Sequence, residues 1–291
     1  MTTATKVIIT AALTGGVHDK KANPNLPEQP AEIVQEAYAC YNAGAAVVHL
    51  HARDEQGKPT SDPSIYRAIH DGIRALCPVI IQDSTGGGPA LSMEERIRAI
   101  EAQPEMASLN MGTLVRTIGQ YKGTVFLNTR EEIRYFLTMM HSKNIKPELE
   151  VYNHSMIEEI EMLISDNLIS PPYAINLVLA QPYEGALRGS VRNLLSLFTD
   201  YLPPGSLFTV SAIGKNQLPL TTLSMLLGGN VRVGLEDNIY YRAGEMATSN
   251  AQLVERAVRI ARELEIGIAN PEEARKVLGL VLSPGCKEEV R

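Results

Sequence analysis

The stretch Val47-Val48-His49-Leu50-His51-Ala52-Arg53 combines the pattern of a buried strand with two histidines. Successive side chains of a strand point to opposite faces, so His49 and His51 share one face while Val48 and Leu50 share the other. Two imidazoles at the end of an apolar run form a pair of ligands for a divalent metal. The alternative of two structural histidines stays open, and a metal site needs a third ligand from elsewhere.

Comparable β-branched runs alternate with longer amphipathic segments along the whole chain, which is typical of βα units around a parallel sheet. The predicted strands are Val7–Ala12, Ala46–His51, Val79–Ser84, Glu105–Asn110, Glu148–Tyr152, Ala174–Ala180, Leu207–Ala212 and Val231–Glu236. The predicted helices are Ala31–Ala43, Pro63–Leu76, Met93–Ala102, Arg130–Lys143, His154–Asp166, Val191–Tyr201, Leu218–Leu227, Met246–Leu264 and a short last one, Pro271–Leu278.

Eight strands, each followed by a helix, predict an α/β fold of the (β/α)8 TIM barrel type. We expect residues 1–291 to form this single barrel, with a long first βα loop over 13–30 and helices at the C-terminal end. The long connection 112–129 after the fourth strand belongs to the same catalytic face, although both loops could be tolerated insertions. An open doubly wound sheet is the competing fold, but Thr14-Gly15-Gly16 lacks the spacing of a dinucleotide-binding turn.

Composition narrows the class of protein. The 291 residues are 44% hydrophobic and 21% charged, with a formal net charge of −6, which is typical of a globular protein and argues against a nucleic-acid or anionic-membrane partner. The three cysteines, Cys40, Cys77 and Cys286, lie far apart and predict no disulfide framework. The absence of a secretory pattern at the N-terminus and of long apolar stretches leads us to expect a cytoplasmic protein with no membrane segment.

Polar residues at alternate positions interrupt the predicted strands near their C-terminal ends, where a parallel strand buried on both faces should be apolar. In the eighth strand, Arg232 and Glu236 share the face opposite to Val231 and Val233, so we expect both to point into the barrel. A buried carboxylate is costly unless it is paired or binds a metal. Glu236 is therefore the expected third ligand beside the histidines, and an internal ion pair with Arg232 is the alternative. The other such pairs are Gln82/Ser84, Ser108/Asn110, Glu148/Glu150 and Thr209/Ser211.

A His₂Glu set with an open position is a catalytic arrangement for Zn²⁺, although iron, cobalt or manganese occupy similar sites. Asp237 could act as a general base held ionised by Arg232, but its parity is opposite to that of Glu236. It reaches the site only if the strand bends there.

The turn Ser84-Thr85-Gly86-Gly87-Gly88 suits a carboxylate or phosphate, because glycines let backbone N–H groups approach a ligand and the hydroxyls add donors. A flexible glycine turn is the alternative. Among the remaining histidines, we expect His70 and His141 to be surface or capping residues. His18, in the first loop, could contact substrate or be solvated.

Several segments resemble the family of β-keto acid cleavage enzymes, and they span nearly the whole chain in the family's order. They are Thr10–Gly15, Pro24–Pro27, His49–Arg53, Ser84–Gly87, Glu105–Asn110, Pro147–Tyr152, Gly234–Asn238 and Ser249–Val254. The resemblance implies a zinc-dependent barrel, a homotetramer, that condenses a β-keto acid with acetyl-CoA to give acetoacetate and a new acyl-CoA.

Carried over to this sequence, the resemblance implies that His49, His51 and Glu236 bind zinc. It makes Asp237 the base that removes the substrate's proton, with Arg232 orienting it. Ser84, Gly87 and Ser108 would contact the substrate, and Ser108 replaces a threonine, which keeps the hydroxyl. Thr85, Gly86 and Asn110 join this predicted substrate-binding set through the turn and strand patterns above.

Val17 marks a departure from the members that cleave 3-keto-5-aminohexanoate, which carry a glutamate there to bind the substrate's amino group. Without that carboxylate we expect this chain not to prefer a cationic tail. Val17 suggests a neutral or apolar tail, whereas the neighbouring Lys20 and Lys21 leave room for an anionic tail or for CoA phosphates.

Two other classes of function remain open from the sequence. A metal-dependent hydrolase on the same barrel would activate water and need no CoA. A non-catalytic binding or assembly module is disfavoured by the ionisable groups predicted at the barrel mouth, because such groups are costly unless they are used.

Overall fold

The structure, a computed structural model, describes residues 6–88, 90–118 and 121–280. Its centre is a closed barrel of eight parallel strands. The strands are β1 (Ile9–Ala12), β2 (Val47–Leu50), β3 (Ile80–Ser84), β4 (Met106–Asn110), β5 (Lys146–Val151), β6 (Tyr173–Leu179), β7 (Ser206–Ala212) and β8 (Asn230–Val233). Their order around the barrel is β1-β8-β7-β6-β5-β4-β3-β2. The predicted (β/α)8 barrel is confirmed, and closure of the sheet excludes the open doubly wound alternative.

Helices surround the barrel, and several begin at a proline or at a capping residue. They are α1 (Pro30–Ala43), α2 (Pro63–Leu76), α3 (Met93–Arg96, continued by a 3₁₀ turn Ile97–Ala102), α4 (Arg130–Ser142), α5 (His154–Ser165), α6 (Val191–Asp200), α7 (Gln217–Leu226), α8 (Asn250–Glu263) and α9 (Pro271–Leu278). Pro30, Pro63 and Pro271 start their helices, where the missing proline N–H costs no hydrogen bond. Capping boxes at Ser92, Thr129 and Asn270 satisfy N-terminal N–H groups.

The two faces of each barrel strand carry different residues. Val48 and Leu50 of β2 and Val231 and Val233 of β8 belong to one large apolar cluster with the surrounding helices. Their neighbours His49 and Arg232 therefore point into the barrel. This parity agrees with the sequence prediction, and it places the polar side chains of the strand ends at one mouth.

Short elements cover that mouth. Ala52–Arg53 pairs with Pro59–Thr60 after β2, and Tyr240–Arg242 pairs with Glu245–Met246 after β8. A three-stranded antiparallel sheet, which we call the mouth sheet, consists of Leu114–Arg116, Val125–Phe126 and Tyr183–Glu184. The predicted long connection 112–129 thus contains two strands of its own.

The structure corrects the eighth strand and its helix. The strand was predicted to reach Glu236 but ends at Val233, because Gly234 has a φ of +148° that breaks the extended run. The helix predicted from Met246 begins at Asn250, where the Ser249 side chain accepts a hydrogen bond from the Gln252 N–H. Met246 lies in the preceding hairpin instead.

Other predictions have mixed outcomes. Cys40 and Cys77 are free and buried, while Cys286 lies outside the described residues. Within the described ranges, every helix is too short or too polar to cross a membrane. The assignment of all of 1–291 to one barrel stays a prediction.

Candidate active site

Three side chains converge at the mouth where β1 lies between β2 and β8. The Nε2 atoms of His49 and His51 lie 3.7 and 3.5 Å from Oε1 of Glu236. One ligand atom from each residue lies within 4.8 Å of the other two. Gly15, directly after β1, makes room for this cluster, because a Cβ there would lie 2.6 Å from Cγ of Glu236. The predicted trio is thus brought together in a geometry that could hold one metal ion.

His49 has the tautomer that a metal ligand needs. Its Nδ1 lies 2.7 Å from Oε1 of Gln82, an amide oxygen that can only accept, so Nδ1 carries the proton and Nε2 keeps its lone pair. Burial, reinforced by the Arg232 charge, lowers the pKa of His49 to about 3, so the ring is neutral at physiological pH. The lone pair of Nε2 faces a carboxylate oxygen, and a cation between them would turn this repulsion into attraction.

Glu236 supplies the negative charge. Burial acts to raise the pKa of its carboxyl group, but Arg232 and the two histidines hold that pKa well below its usual range. Oε1 accepts a 2.6 Å hydrogen bond from Nη2 of Arg232, while the buried Oε2 has no hydrogen-bond partner among the described residues. An ionised carboxylate with one unused oxygen beside two imidazoles is a donor set that fits a divalent metal. The predicted ion pair with Arg232 is present, and it leaves Oε2 free, so the metal-ligand interpretation stays open beside it.

Arg232 binds three carboxylates with its planar fork. Its Nε and Nη2 donate to the two oxygens of Asp237 at 2.9 and 3.0 Å, and Nη1 donates to Glu150 at 3.3 Å. The chain bends at Gly234, and this bend turns Asp237 toward the site. The sequence predicted that Asp237 would need such a bend to reach the site. Burial and the Glu236 charge raise the pKa of Asp237 to about 6, against the lowering effect of Arg232. A carboxyl group with this pKa can exchange a proton near neutral pH.

A second acidic pair lies deeper, on β5. Burial, followed by repulsion from Glu148 and Glu236, raises the pKa of Glu150 to about 7, although Arg232 lowers it. The hydroxyl of Tyr152 donates to Glu150 at 3.4 Å, and the Asn176 amide donates to Glu148 at 3.4 Å. The sequence indicated the two glutamates by their alternation but not Tyr152, whose position two residues after Glu150 was the available signal.

The predicted substrate-contact residues differ in whether their polar atoms are already hydrogen-bonded within the protein. Ser84 Oγ accepts a hydrogen bond from the Gly86 N–H at 3.1 Å, which shapes the glycine turn. Ser108 Oγ and Asn110 Oδ1 are buried without a hydrogen-bond partner among the described residues, so both are available to a ligand. The Thr85 hydroxyl is different: it is buried and donates to the Ser108 carbonyl at 2.6 Å. The Thr85 carbonyl also accepts a hydrogen bond, from Arg96 Nε at 2.8 Å, so only the backbone N–H is left for the predicted contact.

The first loop contacts this turn. A Cβ on Gly16 would lie 2.6 Å from the Gly87 carbonyl oxygen, so the two glycine segments touch backbone to backbone. Arg53 fixes the loop by donating to the Gly15 carbonyl at 2.8 Å. Val17 is 63% exposed at the tip, and Lys20 forms an ion pair with Glu32. His18 is half-buried, and burial lowers its pKa.

The prediction for His70 is wrong. This residue of α2 is fully buried, with Nε2 2.9 Å from Asp83 of β3 and Nδ1 3.2 Å from the Ala102 carbonyl oxygen. The amphipathic pattern of α2 places His70 on its apolar face, one turn after Tyr66, and that spacing was the missed signal. His141, by contrast, is exposed in the last turn of α4, as expected.

Comparisons with known proteins identify the family of this chain. The family model described as "beta-keto acid cleavage enzyme" matches residues 6–280. A 3-keto-5-aminohexanoate cleavage enzyme of Acetoanaerobium sticklandii is 41% identical over 277 residues, which cover 94% of this chain and 98% of that protein. A 3,5-dioxohexanoate:acetyl-CoA acetone transferase of Paraburkholderia graminis is 33% identical over 311 residues, with 96% and 97% covered.

A solved structure, titled a ternary complex of ObcA with a C4-CoA adduct and oxalate, superposes with a TM-score of 0.73. It is 22% identical and covers 88% of this chain and 68% of its own, a likeness that shows the shared barrel fold alone. The family model and the two relatives carry the assignment, which the motifs of the sequence had indicated. This chain is a member of the β-keto acid cleavage enzyme family.

Proposed function

We propose that this protein is a zinc-dependent enzyme that converts a β-keto acid and acetyl-CoA into acetoacetate and a new acyl-CoA. The observation that carries the proposal is one mouth that holds a His₂Glu set with an unused carboxylate oxygen and, beside it, an Asp237 clamped by Arg232. The names of the relatives support it, because they join β-keto acid cleavage with acetyl-CoA as the second substrate.

His49, His51 and Glu236 would hold the metal. Zn²⁺ would supply Lewis acidity to the keto and carboxylate oxygens of the substrate, which makes the carbon between them acidic. The imidazole and carboxylate donors also suit iron, cobalt and manganese, so the choice of zinc rests on the His₂Glu composition and on the family resemblance.

Asp237 would remove the proton from that carbon. The two hydrogen bonds from Arg232 fix the orientation of the carboxylate, and the pKa of about 6 lets Asp237 both accept the proton and return it near neutral pH. The carbanion then attacks the acetyl-CoA thioester, and the released CoA thiolate attacks the original keto carbon. Cleavage of the carbon–carbon bond gives acetoacetate and the acyl-CoA, so atoms and charge balance.

The remaining polar groups would hold the substrate's oxygens. The Ser108 hydroxyl, which has no hydrogen-bond partner among the described residues, would donate to these oxygens together with N–H groups of the Ser84–Gly87 turn. The unpartnered Asn110 Oδ1 can only accept, so it would bind a donor group of the substrates instead. Thr85 would contribute its backbone N–H only, since its hydroxyl donates to the Ser108 carbonyl and its own carbonyl accepts from Arg96.

The test is acetoacetate release by purified, zinc-loaded protein with acetyl-CoA and a panel of β-keto acids. We expect acetoacetate only when both substrates are present, and loss of turnover by at least about 100-fold in Asp237→Asn with metal content unchanged. Exposed Asp71 provides the control Asp71→Asn, which should keep full activity. Chelation should remove both metal, measured by elemental analysis, and activity. Turnover without CoA would favour the metal-dependent hydrolase instead.

Val17 should influence which tail the substrate carries. In Val17→Glu, a carboxylate at the tip of the first loop would attract a cationic tail, so we expect kcat/KM for an amine-bearing β-keto acid to rise about 10-fold relative to a neutral one. Val277, also exposed but on α9 away from the mouth, gives the control Val277→Glu, for which no change is expected. Equal responses in the two variants would contradict a role for Val17.

The homotetramer and the cytoplasmic location stay predictions that the family resemblance and the composition support. Sedimentation of the purified protein at several concentrations tests the first, and fractionation of the source cells tests the second.

A further inference from the structure

The mouth sheet turns one of its faces toward the barrel. Leu114 lies opposite Phe126 and Arg116 lies opposite Tyr183 in the antiparallel register, so these four side chains share a face. Leu114, Arg116 and Phe126 are buried, whereas Val125 and Glu184 of the other face are exposed. The inner face of the sheet therefore presents a charged side chain to the interior.

Arg116 is buried without a charge partner. Its side chain is 7% exposed, and Nη1 donates to Thr124 Oγ1 at 3.3 Å and to the Val125 carbonyl at 3.2 Å. The buried Nε has no hydrogen-bond partner among the described residues, and no carboxylate of those residues lies within 4.0 Å of the guanidinium. A buried cation without a counter-charge is costly, so its retention indicates a ligand of opposite charge.

A second guanidinium lies on the same aromatic ring. The Cζ atoms of Arg96 and Arg116 lie 4.8 and 5.0 Å from the ring centre of Phe126. Arg96 donates only to neutral acceptors, which are the carbonyls of Thr85 and Leu127 and the side-chain oxygen of Asn128. All of its nitrogens are thus in use, and Arg116 is the member of the pair with a donor to spare.

Phe126 joins this positive region to the predicted substrate turn. A Cβ on Gly86 would lie 3.2 Å from Ser84 Oγ and 3.7 Å from Cζ of Phe126. The Phe126 ring thus lies between the Ser84–Gly87 turn and Arg116. Glu236 and Asp237 follow β8, across the barrel from β4, whereas Glu150 lies on β5 and pairs with Asn110 of β4.

We propose that Arg116 binds an anionic oxygen group of a substrate at the inner face of the mouth sheet. The group is a carboxylate on the far end of the β-keto acid or a phosphate of CoA, and both share the oxygen geometry that a guanidinium recognises. This inference rests on the proposed function for the identity of the substrates, but the binding itself can be measured without turnover.

The test compares Arg116→Met, which keeps the length and removes the charge, with the wild type and with Arg192→Met, which removes an exposed charge on α6. Kinetics use β-keto acids with a carboxylate tail or a neutral amide tail, each with acetyl-CoA or with acetyl-pantetheine, which lacks the phosphates. We expect Arg116→Met to lower kcat/KM by about 10- to 100-fold only for the substrate whose anionic group Arg116 binds, and not for its neutral or phosphate-free counterpart.

The pattern of losses identifies the source of the anion. A loss confined to the carboxylate tail assigns Arg116 to the β-keto acid, and a loss that disappears with acetyl-pantetheine assigns it to CoA. Equal losses for charged and neutral substrates, or less than a 3-fold change throughout, would overturn the proposal. If circular dichroism shows that Arg116→Met is unfolded, Arg116→Lys takes its place, because lysine keeps the charge but lacks the planar guanidinium. Its kcat/KM should fall less, but for the same charged substrate.

Calorimetric titration with adipate and with CoA separates this inference from the proposed function. Wild-type protein and Arg192→Met should bind at least one of the two probes, and Arg116→Met should bind it at least about 10-fold more weakly. Such binding without any acetoacetate formation would reject the proposed reaction and keep the anion site. Acetoacetate formation with binding unaffected by Arg116→Met would reject the anion site alone.

Discussion

At the scale of single residues, Gln82 determines how His49 presents its lone pair. The side-chain oxygen of Gln82 accepts the Nδ1 proton at 2.7 Å, which leaves Nε2 free toward Glu236. Gln82→Leu removes that acceptor, and we expect metal affinity to fall about 10- to 100-fold. Competition with a chromophoric chelator measures it, and exposed Gln56→Leu is the matched control. An unchanged affinity would mean that packing alone orients the ring.

Glu150 predicts how stability depends on pH. The pKa of Glu150 is raised to about 7 in the folded protein, chiefly by burial, against an ordinary value of 4.5. The folded state therefore binds this proton more tightly than the unfolded chain, and the associated stability is lost as pH rises from about 4.5 through 7. In urea unfolding of the metal-free protein, Glu150→Gln should flatten this decline, whereas exposed Glu158→Gln should leave it unchanged.

Residue parity made the cluster of His49, His51 and Glu236 predictable, because the two histidines and the Arg232–Glu236 pair alternate with apolar neighbours. It could not place Asp237, whose approach depends on the bend at Gly234. Arg116 was not predicted either, since an arginine in a long connection carries no pattern that distinguishes a buried from a solvated side chain.

At the scale of elements, α2 is attached to β3 by a buried hydrogen-bonded pair. His70 and Asp83 are both fully buried, and one oxygen of Asp83 has no partner among the described residues. His70→Leu would leave the Asp83 carboxyl group without its hydrogen-bond partner in an apolar layer and should cost about 1–3 kcal/mol in the free energy of unfolding. The double variant His70→Leu/Asp83→Leu should recover part of that loss. A double variant as unstable as the sum of the singles would exclude the coupling.

The positions of elements were largely predictable and their ends were not. The eight strands and nine helices that the sequence predicted all have counterparts within the described residues. The ends moved where a local hydrogen bond or backbone angle decided, as at Ser249 and Gly234. The mouth sheet escaped prediction because its strands are two or three residues long and pair across a large separation in sequence.

At the scale of the whole molecule, Gly234 keeps the barrel closed between β1 and β8. A Cβ there would lie 2.0 Å from the Ala12 carbonyl oxygen, a backbone atom that cannot move without separating the strands. Gly228 also has a positive φ but open space around it. We expect Gly228→Ala to cost about 1–2 kcal/mol and Gly234→Ala distinctly more, as measured by urea unfolding. Equal costs would show that strain, and not the contact, governs both sites.

The place of the His₂Glu set in the barrel has a consequence for biosynthesis. Two ligands come with β2, early in translation, while the third follows β8, the last barrel strand to leave the ribosome. A nascent chain that stops before β8 holds only the two imidazoles and lacks the strand that joins β1 to β7. Loading of the proposed metal would therefore follow synthesis of the whole barrel, and a bound ion would report that the first and last strands have met.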